Sequence, residues 1–157
     1  MNLYTLPKMH LQISGGEIIP LRLLSDTAFK IGGYTAESDI TDTCCCENVW
    51  SAFYESDADK SMQSDTIYVS YRNQCDRVSC TIGQRGEQGE HIPASRWACF
   101  TLQTTDDDAV NEFYGKIIYE WLPSAQLQRR NDVPTIEIFP ADMSQEGFQW
   151  EIRIPVI

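Results

Sequence analysis

A single carboxylate interrupts an apolar stretch near the end of the chain. Glu137 lies in Thr135-Ile136-Glu137-Ile138-Phe139, a run of β-branched and aromatic residues that predicts a strand. If both faces of that strand were buried, an ionised Glu137 would need a compensating charge, and a bound cation would provide it. Alternation alone favours another interpretation, in which Thr135 and Glu137 face solvent while Ile136 and Ile138 fill the core.

A buried carboxylate also implies a pH dependence. In an empty pocket, burial would raise the pKa of Glu137, whereas a bound cation would favour the ionised form. Affinity for a cation should therefore weaken in acid. Glu151 is a rival candidate because it also alternates with large apolar residues, but its neighbour Arg153 favours an exposed strand face.

The other reactive residues do not form the spacings of enzyme or metal motifs. Cys75 and Cys80 do not have the spacing of a zinc site, and His10 and His91 lie far from both in the sequence. The sequence has no phosphate-binding glycine loop and no Gly-x-Ser-x-Gly elbow. We therefore expect no metal, no cofactor and no catalytic residue.

Charge and composition narrow the class of protein. The 157 residues include 23 acidic and 12 basic ones, and the formal charge of -11 gives a surface that repels nucleic-acid phosphates. No apolar run is long enough to cross a membrane, and Met1 to Leu6 lack the pattern of a signal peptide. We expect one cytoplasmic domain with reduced thiols that binds neither nucleic acid nor membrane directly.

The first half of the chain predicts a strand, a helix and two further strands. Phe29 to Tyr34 alternate as a strand does, and Ser38 to Thr43 offer caps for a helix over about Cys44 to Glu55. Two strands are expected over Thr66–Tyr71 and Arg77–Ile82, with a hairpin turn at Asn73 to Asp76.

The second half predicts the same order of elements. A strand over Trp97–Thr104 precedes Asp106-Asp107-Asp108, whose carboxylates suit the first turn of a helix. An apolar stripe follows and Pro123 is expected to end the helix. Two strands are then expected, over Pro134–Phe139 and Phe148–Val156.

This order predicts an α+β fold made from a duplicated β-α-β-β unit with pseudo-twofold symmetry. The repeats span about residues 28–83 and 96–157 and would form one antiparallel sheet of about eight strands with two main helices. Gly83 to Pro93 are expected to form an exposed connection. Residues 1–27 are an N-terminal extension, either an edge strand or a dimer contact, before a single domain over residues 28–157.

Two similar halves that meet at an axis leave a cleft, which is a common place for a ligand pocket. Thr66-Ile67-Tyr68-Val69 and Thr135-Ile136-Glu137-Ile138 share one position in the repeat, so Tyr68 and Glu137 are expected near that cleft as equivalents. Aromatic faces attract cations. The expected binding residues are Glu137 with six aromatic residues, namely Tyr68, Trp50, Phe53, Tyr114, Phe139 and Phe148.

The terminal third resembles a known family. Trp121-Leu122-Pro123, Asp132-x-Pro134-x-x-Glu137 and Glu151-Ile152-x-Ile154-Pro155-Val156 are similar to the effector-binding domain shared by gyrase-inhibitor-like proteins and AraC-type multidrug-sensing regulators. Ile31-Gly32-Gly33-Tyr34 and Val49-Trp50-Ser51-Ala52-Phe53 extend the similarity to about residues 28–157. The resemblance implies that the glutamate of the acidic strand, here Glu137, contacts cationic drugs in the ligand pocket.

The resemblance and the residues together predict a non-enzymatic binder of small hydrophobic, cationic molecules. Such a domain would act as a standalone sensor or sequestering module, and nothing before Leu24 is long enough to form a DNA-binding reader. Two alternatives are an acidic protein-interaction inhibitor of the gyrase-inhibitor type and a hydrolase with Glu137 as general base. A separate protein partner and a homodimer are also possible assemblies.

Overall fold

The computed structural model describes residues 8–10, 13–14, 17–39, 45–57, 62–74 and 76–157. Cys44, Cys75, Met1 to Leu6 and most of the expected helix-cap segment before residue 45 lie outside these residues. The elements are β1 (Lys8–His10), β2 (Ile13–Ser14), β3 (Glu17–Ile18), β4 (Leu21–Asp26), β5 (Phe29–Asp39), α1 (Cys45–Glu55), β6 (Thr66–Gln74), β7 (Arg77–Gly86), β8 (Glu90–Ile92), β9 (Ser95–Leu102), α2 (Asp107–Lys116), β10 (Thr135–Pro140) and β11 (Trp150–Val156).

Nine of the described strands form one antiparallel sheet in the order β1-β4-β9-β11-β10-β6-β7-β5-β8, and β2 pairs with β3. The six central strands are symmetric about the β10–β6 seam. Each unit, β5-α1-β6-β7 or β9-α2-β10-β11, places its first strand outermost, its last strand in the middle and its second strand at the seam. The expected α+β fold, with its duplicated unit and pseudo-twofold relation, is confirmed.

Residues at the seam face two buried layers. Glu137 pairs with Val69 across the seam, and Ile138 pairs with Tyr68. Successive side chains on a strand point to opposite faces, so the first pair lies on one face of the sheet and the second pair on the other. We call these the helix face, where Val69 packs in one cluster with residues of both helices, and the far face, where Ile136 packs with Trp97 and Phe29.

Burial of both faces of β10 decides the orientation of its residues. Ile136 is fully buried on the far face, and Thr135 and Glu137 are buried on the helix face, with relative exposures of 4% and 7%. Glu137 therefore does not point into solvent, and the half-buried strand favoured by alternation alone is wrong.

The second helix begins with the expected cap and ends irregularly. The Asp106 carboxylate accepts a hydrogen bond from the backbone N–H of Ala109 at 2.9 Å. After α2, a π-helical turn (Ile117–Trp121) and a final turn (Leu122–Ser124) continue the helix, so Pro123 lies inside the last turn. In the part of the chain that the structure describes, no helix is long and apolar enough to span a membrane.

The segment between the repeats is more ordered than expected. β7 continues to Gly86, and β8 pairs with β5, so Gly83 to Pro93 are not one exposed connection. Gly89 has φ of +113°, and a Cβ there would lie 2.1 Å from the Ile31 carbonyl oxygen. Only glycine fits a turn that returns so close to β5.

The N-terminal strands extend the sheet beside the second repeat. β4 pairs antiparallel with β9, and β1 pairs with β4. These strands therefore lie at the edge of the sheet nearest β9. The proposed boundary after residue 27 stays a prediction.

Candidate functional site

Glu137 is held by a tyrosine from each repeat. The hydroxyl of Tyr71, on β6, donates to Oε1 at 2.8 Å, and the hydroxyl of Tyr114, on α2, donates to Oε2 at 2.5 Å. Burial raises the pKa of Glu137, while the hydrogen bonds from Tyr114 and Tyr71 oppose that rise by stabilising the carboxylate. The result is a buried acidic group that is hydrogen-bonded but forms no salt bridge with any of the described residues.

Glu137 lies in the wall of a cavity of about 950 Å³ between the two helices and the helix face of the sheet. This volume falls within the usual range for small-molecule sites, about 300–1,000 Å³. Residues from both repeats line it, namely Glu47, Trp50, Ser51, Tyr54, Tyr71, Asn73, Thr105, Asp107, Val110, Asn111, Tyr114, Ile118, Arg129, Thr135, Glu137, Phe139, Met143, Phe148, Trp150 and Ile154.

Three rings form a continuous aromatic wall of the cavity. Phe139 stacks on Trp150, with ring centroids 4.7 Å apart and planes at 15°. Trp50 of α1 meets Phe139 edge-on at 5.2 Å. The Trp150 indole N–H donates to the backbone oxygen of Thr104 at 2.8 Å, so the stack is fixed to the loop before α2. Such a wall offers apolar contact area together with negative ring faces that attract cations.

The charges that line the cavity are mostly negative. Glu47, Asp107 and Glu137 are acidic, and Arg129 is the basic residue among the described lining residues. The Arg129 guanidinium donates to the Thr135 hydroxyl at 3.1 Å. No group of three or more His, Cys, Asp or Glu in the described ranges could hold a metal ion. The cavity is therefore large enough for a small molecule, and its charged lining among the described residues is mainly acidic.

Five of the seven expected binding residues line this cavity, namely Trp50, Tyr114, Glu137, Phe139 and Phe148. Their contact with a ligand stays a prediction. Phe53 does not line it. The Phe53 ring is 1% exposed and packs in the helix-face core beneath α1. The expectation that it lines the cavity is therefore wrong.

Tyr68 lies on the far face, where it packs against Phe29 with ring centroids 5.9 Å apart. The expectation that it shares a pocket with Glu137 is therefore wrong. Glu137 pairs with Val69, and a twofold axis normal to the sheet keeps each residue on its own face. In this register, residues of β6 and β10 that lie on the same face differ in number by an even amount, as Val69 and Glu137 do. Tyr68 and Glu137 differ by an odd number and lie on opposite faces, so the twofold axis cannot relate them.

Comparison with known proteins identifies the family. A profile of the GyrI-like small molecule binding domain matches residues 21–157. The chain belongs to this family. The resemblance drawn from the terminal third is thus confirmed, and the match includes β4 as well as both repeats. Comparison with curated proteins found no match.

Solved structures share the fold of this GyrI-like domain. SAV2435, solved bound to tetraphenylphosphonium, aligns over 88% of this chain and 94% of its own with a TM-score of 0.70 and 14% identity. A Staphylococcus aureus MU50 protein named for bacterial transcription regulation aligns over 87% and 97%, with a TM-score of 0.66 and 15% identity. An integron cassette protein from the mobile metagenome of Vibrio cholerae aligns over 87% and 95%, with a TM-score of 0.65 and 12% identity.

Several residues that line the GyrI-like cavity were not expected from the sequence. The aromatic ones are Tyr54, Tyr71 and Trp150, and the charged ones are Glu47, Asp107 and Arg129. Tyr71 had a signal in the sequence, since it shares alternation with Ile67 and Val69, which belong to the helix-face core.

Glu151 has a different environment on the far face. Its carboxylate accepts hydrogen bonds from Arg22 and Arg153, and its side chain is 17% exposed. The expectation of an exposed strand face is corrected, because Arg153, at 15%, is also mostly buried. Arg153 further lies 3.9 Å from Asp26, which pairs with Arg85 at 2.8 Å. Glu151 is thus part of an ion-pair network of the far face.

Proposed function

We propose that this GyrI-like domain binds small hydrophobic cations in the cavity between its helices, as a non-enzymatic sensing or sequestering module. One observation carries the proposal: Glu137 is buried in the cavity wall, and its described partners are the neutral hydroxyls of Tyr71 and Tyr114. A carboxylate in this position loses its hydration without gaining a counter-ion. A cation in the cavity would supply the missing charge.

The shape and the lining of the cavity support an apolar cation over a hydrated one. The stacked rings of Phe139 and Trp150, with Trp50 at their edge, suit an aromatic or aliphatic body. A delocalised or shielded positive charge loses less hydration on entry than an ammonium ion does, so it would gain more from Glu137. Tetraphenylphosphonium, which SAV2435 binds, has this chemistry.

The residues around Glu137 favour binding over catalysis. A carboxylate acts as a general base when a proton on the substrate or on water is within reach, and hydrolysis by a nucleophile also needs an activated hydroxyl or thiol. No histidine or cysteine belongs to the cavity lining in the described residues. Both oxygens of Glu137 already accept hydrogen bonds from tyrosines.

A pair of ligands with one shape and opposite charges tests the proposal. Tetraphenylphosphonium and tetraphenylborate present nearly the same phenyl surface, so a difference in affinity reports the charge of the cavity. We expect wild-type protein to bind the phosphonium more tightly, and Glu137→Gln to weaken that binding by about 10- to 100-fold, the size of one charge-assisted contact. Isothermal titration calorimetry at pH 7.5 measures both affinities.

The matched control is Glu120→Gln, which removes the same charge from an exposed residue outside the cavity lining. It should change phosphonium affinity less than about twofold, because exposed charges are screened by solvent. Equal binding of the two tetraphenyl ions, or equal affinities of Glu137→Gln and wild type, would contradict the proposal.

A further inference from the structure

Arg129 introduces a positive charge into a cavity whose other charged residues are acidic. Its guanidinium donates one hydrogen bond, to the Thr135 hydroxyl at 3.1 Å. Other arginines of the described chain, such as Arg22, Arg72, Arg85, Arg130 and Arg153, have carboxylate partners. No carboxylate of the described residues lies within ion-pair distance of Arg129. Within the described part of the chain, the charge of this guanidinium therefore has no carboxylate partner.

The backbone holds Arg129 in place. Arg129 forms an antiparallel bridge with Val156 at the end of β11. On either side of it, the Arg130 N–H donates to the Pro155 oxygen at 2.8 Å, and the Ile157 N–H donates to the Gln128 oxygen at 2.9 Å. A side chain that starts from such a fixed segment and also contacts Thr135 is restricted to one wall of the cavity.

The spacing between Arg129 and Glu137 follows from β10. Thr135, which binds the guanidinium, and Glu137 are alternate residues on one strand and both face the cavity. Alternate residues of a strand are roughly 6.5 Å apart, so the Thr135 side chain that binds the guanidinium and the Glu137 side chain leave β10 within the length of one small ligand. Glu137 is buried and Arg129 is exposed, so the negative group is deep and the positive group is nearer to solvent.

We propose that Arg129 forms a second, anion-accepting subsite, and that the preferred ligands are zwitterionic amphiphiles rather than simple cations. Such a ligand would carry an apolar, positively charged body at Glu137 and a carboxylate or similar acceptor at Arg129. This inference rests on the proposed function, since it assigns the cation to Glu137. It adds that a ligand without an acceptor meets uncompensated repulsion from the guanidinium.

A series of synthetic ligands with increasing chain length tests the second subsite. The probes are carboxyalkyl triphenylphosphonium ions with one to five methylene groups between phosphorus and carboxylate, each compared with its methyl ester. The free acids are zwitterions at pH 7.5, and the esters are simple cations of nearly the same size. Titration calorimetry gives the ratio of the two affinities for wild type, Arg129→Gln and Arg129→Lys.

We expect the affinity ratio of zwitterion to ester to fall about three- to tenfold in Arg129→Gln at the best chain length, the range for a partly exposed charge-assisted contact. The ester itself should bind more tightly to Arg129→Gln, because the repulsion is gone. Arg129→Lys should retain part of the ratio. Arg130→Gln is the matched control, since Arg130 pairs with Asp132 and does not line the cavity.

The outcomes separate this inference from the proposed function. If the esters bind in a Glu137-dependent manner but the affinity ratio is the same in wild type and Arg129→Gln, the second subsite is wrong and the cation site stands. If the ratio falls equally in Arg130→Gln, the effect is general electrostatics and the inference is overturned. If no ester binds to wild type, both proposals fail.

Discussion

Glu137 and Glu151 lie on neighbouring strands of the same repeat, and their carboxylates are buried among different kinds of partner. Glu151, on the far face, accepts hydrogen bonds from two arginines, Arg22 and Arg153. Glu137, on the helix face, accepts hydrogen bonds from the hydroxyls of two tyrosines. The first charge is neutralised within the fold. The second is stabilised but not neutralised.

The difference also affects the direction in which each environment shifts a pKa. Burial, the largest single influence, lowers the pKa of Arg153, but attraction to Glu151 and Cys99, the hydrogen bond to Glu151 and attraction to Tyr68 together raise that pKa overall. Burial raises the pKa of Glu137, and the tyrosine hydrogen bonds only partly oppose it. A buried charge with a counter-ion is part of the architecture, whereas one without a counter-ion is available to a ligand. We therefore propose that Glu151 serves stability and Glu137 serves binding.

The largest expected effect is on stability, at Glu151. Glu151→Gln leaves Arg22 and Arg153 without their shared carboxylate, and we expect it to lower the free energy of unfolding by about 2–3 kcal/mol, somewhat less than for a fully buried pair. Urea denaturation followed by circular dichroism measures this. Phosphonium affinity of the folded variant should be unchanged.

The matched control for this variant is Glu37→Gln. Glu37 pairs with Arg77 at 3.9 Å, and both side chains are 57% exposed, so its loss should cost less than about 0.5 kcal/mol. A Glu151→Gln protein that is fully stable but no longer binds phosphonium would reverse the assignment of the two carboxylates.

A smaller effect is expected from the hydrogen bonds to Glu137. Tyr114→Phe removes the donor at 2.5 Å and should raise the pKa of Glu137 further, since that bond stabilises the ionised form. The pH at which phosphonium affinity falls should move upward, so that affinity near pH 6 is about three- to fivefold weaker than in wild type while the difference narrows at pH 9. Titrations across this pH range measure the shift.

Tyr119→Phe is the control for that experiment. The Tyr119 side chain is 82% exposed and does not line the cavity, so the same loss of a hydroxyl should leave the pH profile in place. Tyr71→Phe should act in the same direction as Tyr114→Phe but less, since its bond to Glu137 is longer, at 2.8 Å. An unshifted profile in both cavity variants would place the titrating group elsewhere.

The two carboxylates also show which features of the fold and the site could be predicted from the sequence and which could not. Most elements were predictable because periodic apolar residues specify them: α1 and the strands of both repeats begin within a few residues of their expected first residues. β5, however, continues past Tyr34 to Asp39 and includes Ser38, which was expected among the helix caps. Glu137 was found because a carboxylate in an apolar strand is conspicuous. Of the two arginine partners of Glu151, only Arg153 is its neighbour in the sequence. Arg22 comes close to Glu151 because β4 pairs with β9, which the local sequence does not show.

The register of the seam could not be derived from local patterns. Aligning Thr66-Ile67-Tyr68 with Thr135-Ile136-Glu137 matched residues by type, but the β6–β10 pairing places Tyr68 on the far face and Tyr71 on the helix face. A shift of one residue exchanges the two faces of a strand, so a motif match with an odd offset selects the wrong tyrosine. Arg129 was missed for a related reason, because its position depends on a bridge to Val156 rather than on its neighbours.

The smallest expected effect is the stability of the empty cavity. The folded-state pKa of Glu137 is raised above its ordinary value, so folding favours the protonated carboxyl group. The stability that follows from this preference is fully present below the ordinary pKa and is lost as the pH rises through the raised, folded-state pKa. Glu137→Gln removes this penalty. Without ligand we expect the variant to be about 0.5–1 kcal/mol more stable than wild type at pH 8, or about 1–4 °C in Tm, and the gain to shrink toward pH 4. Thermal melting at the two pH values measures it. The sign is opposite to that of Glu151→Gln, and a loss of stability at pH 8 would mean that Glu137, like Glu151, is needed by the fold itself.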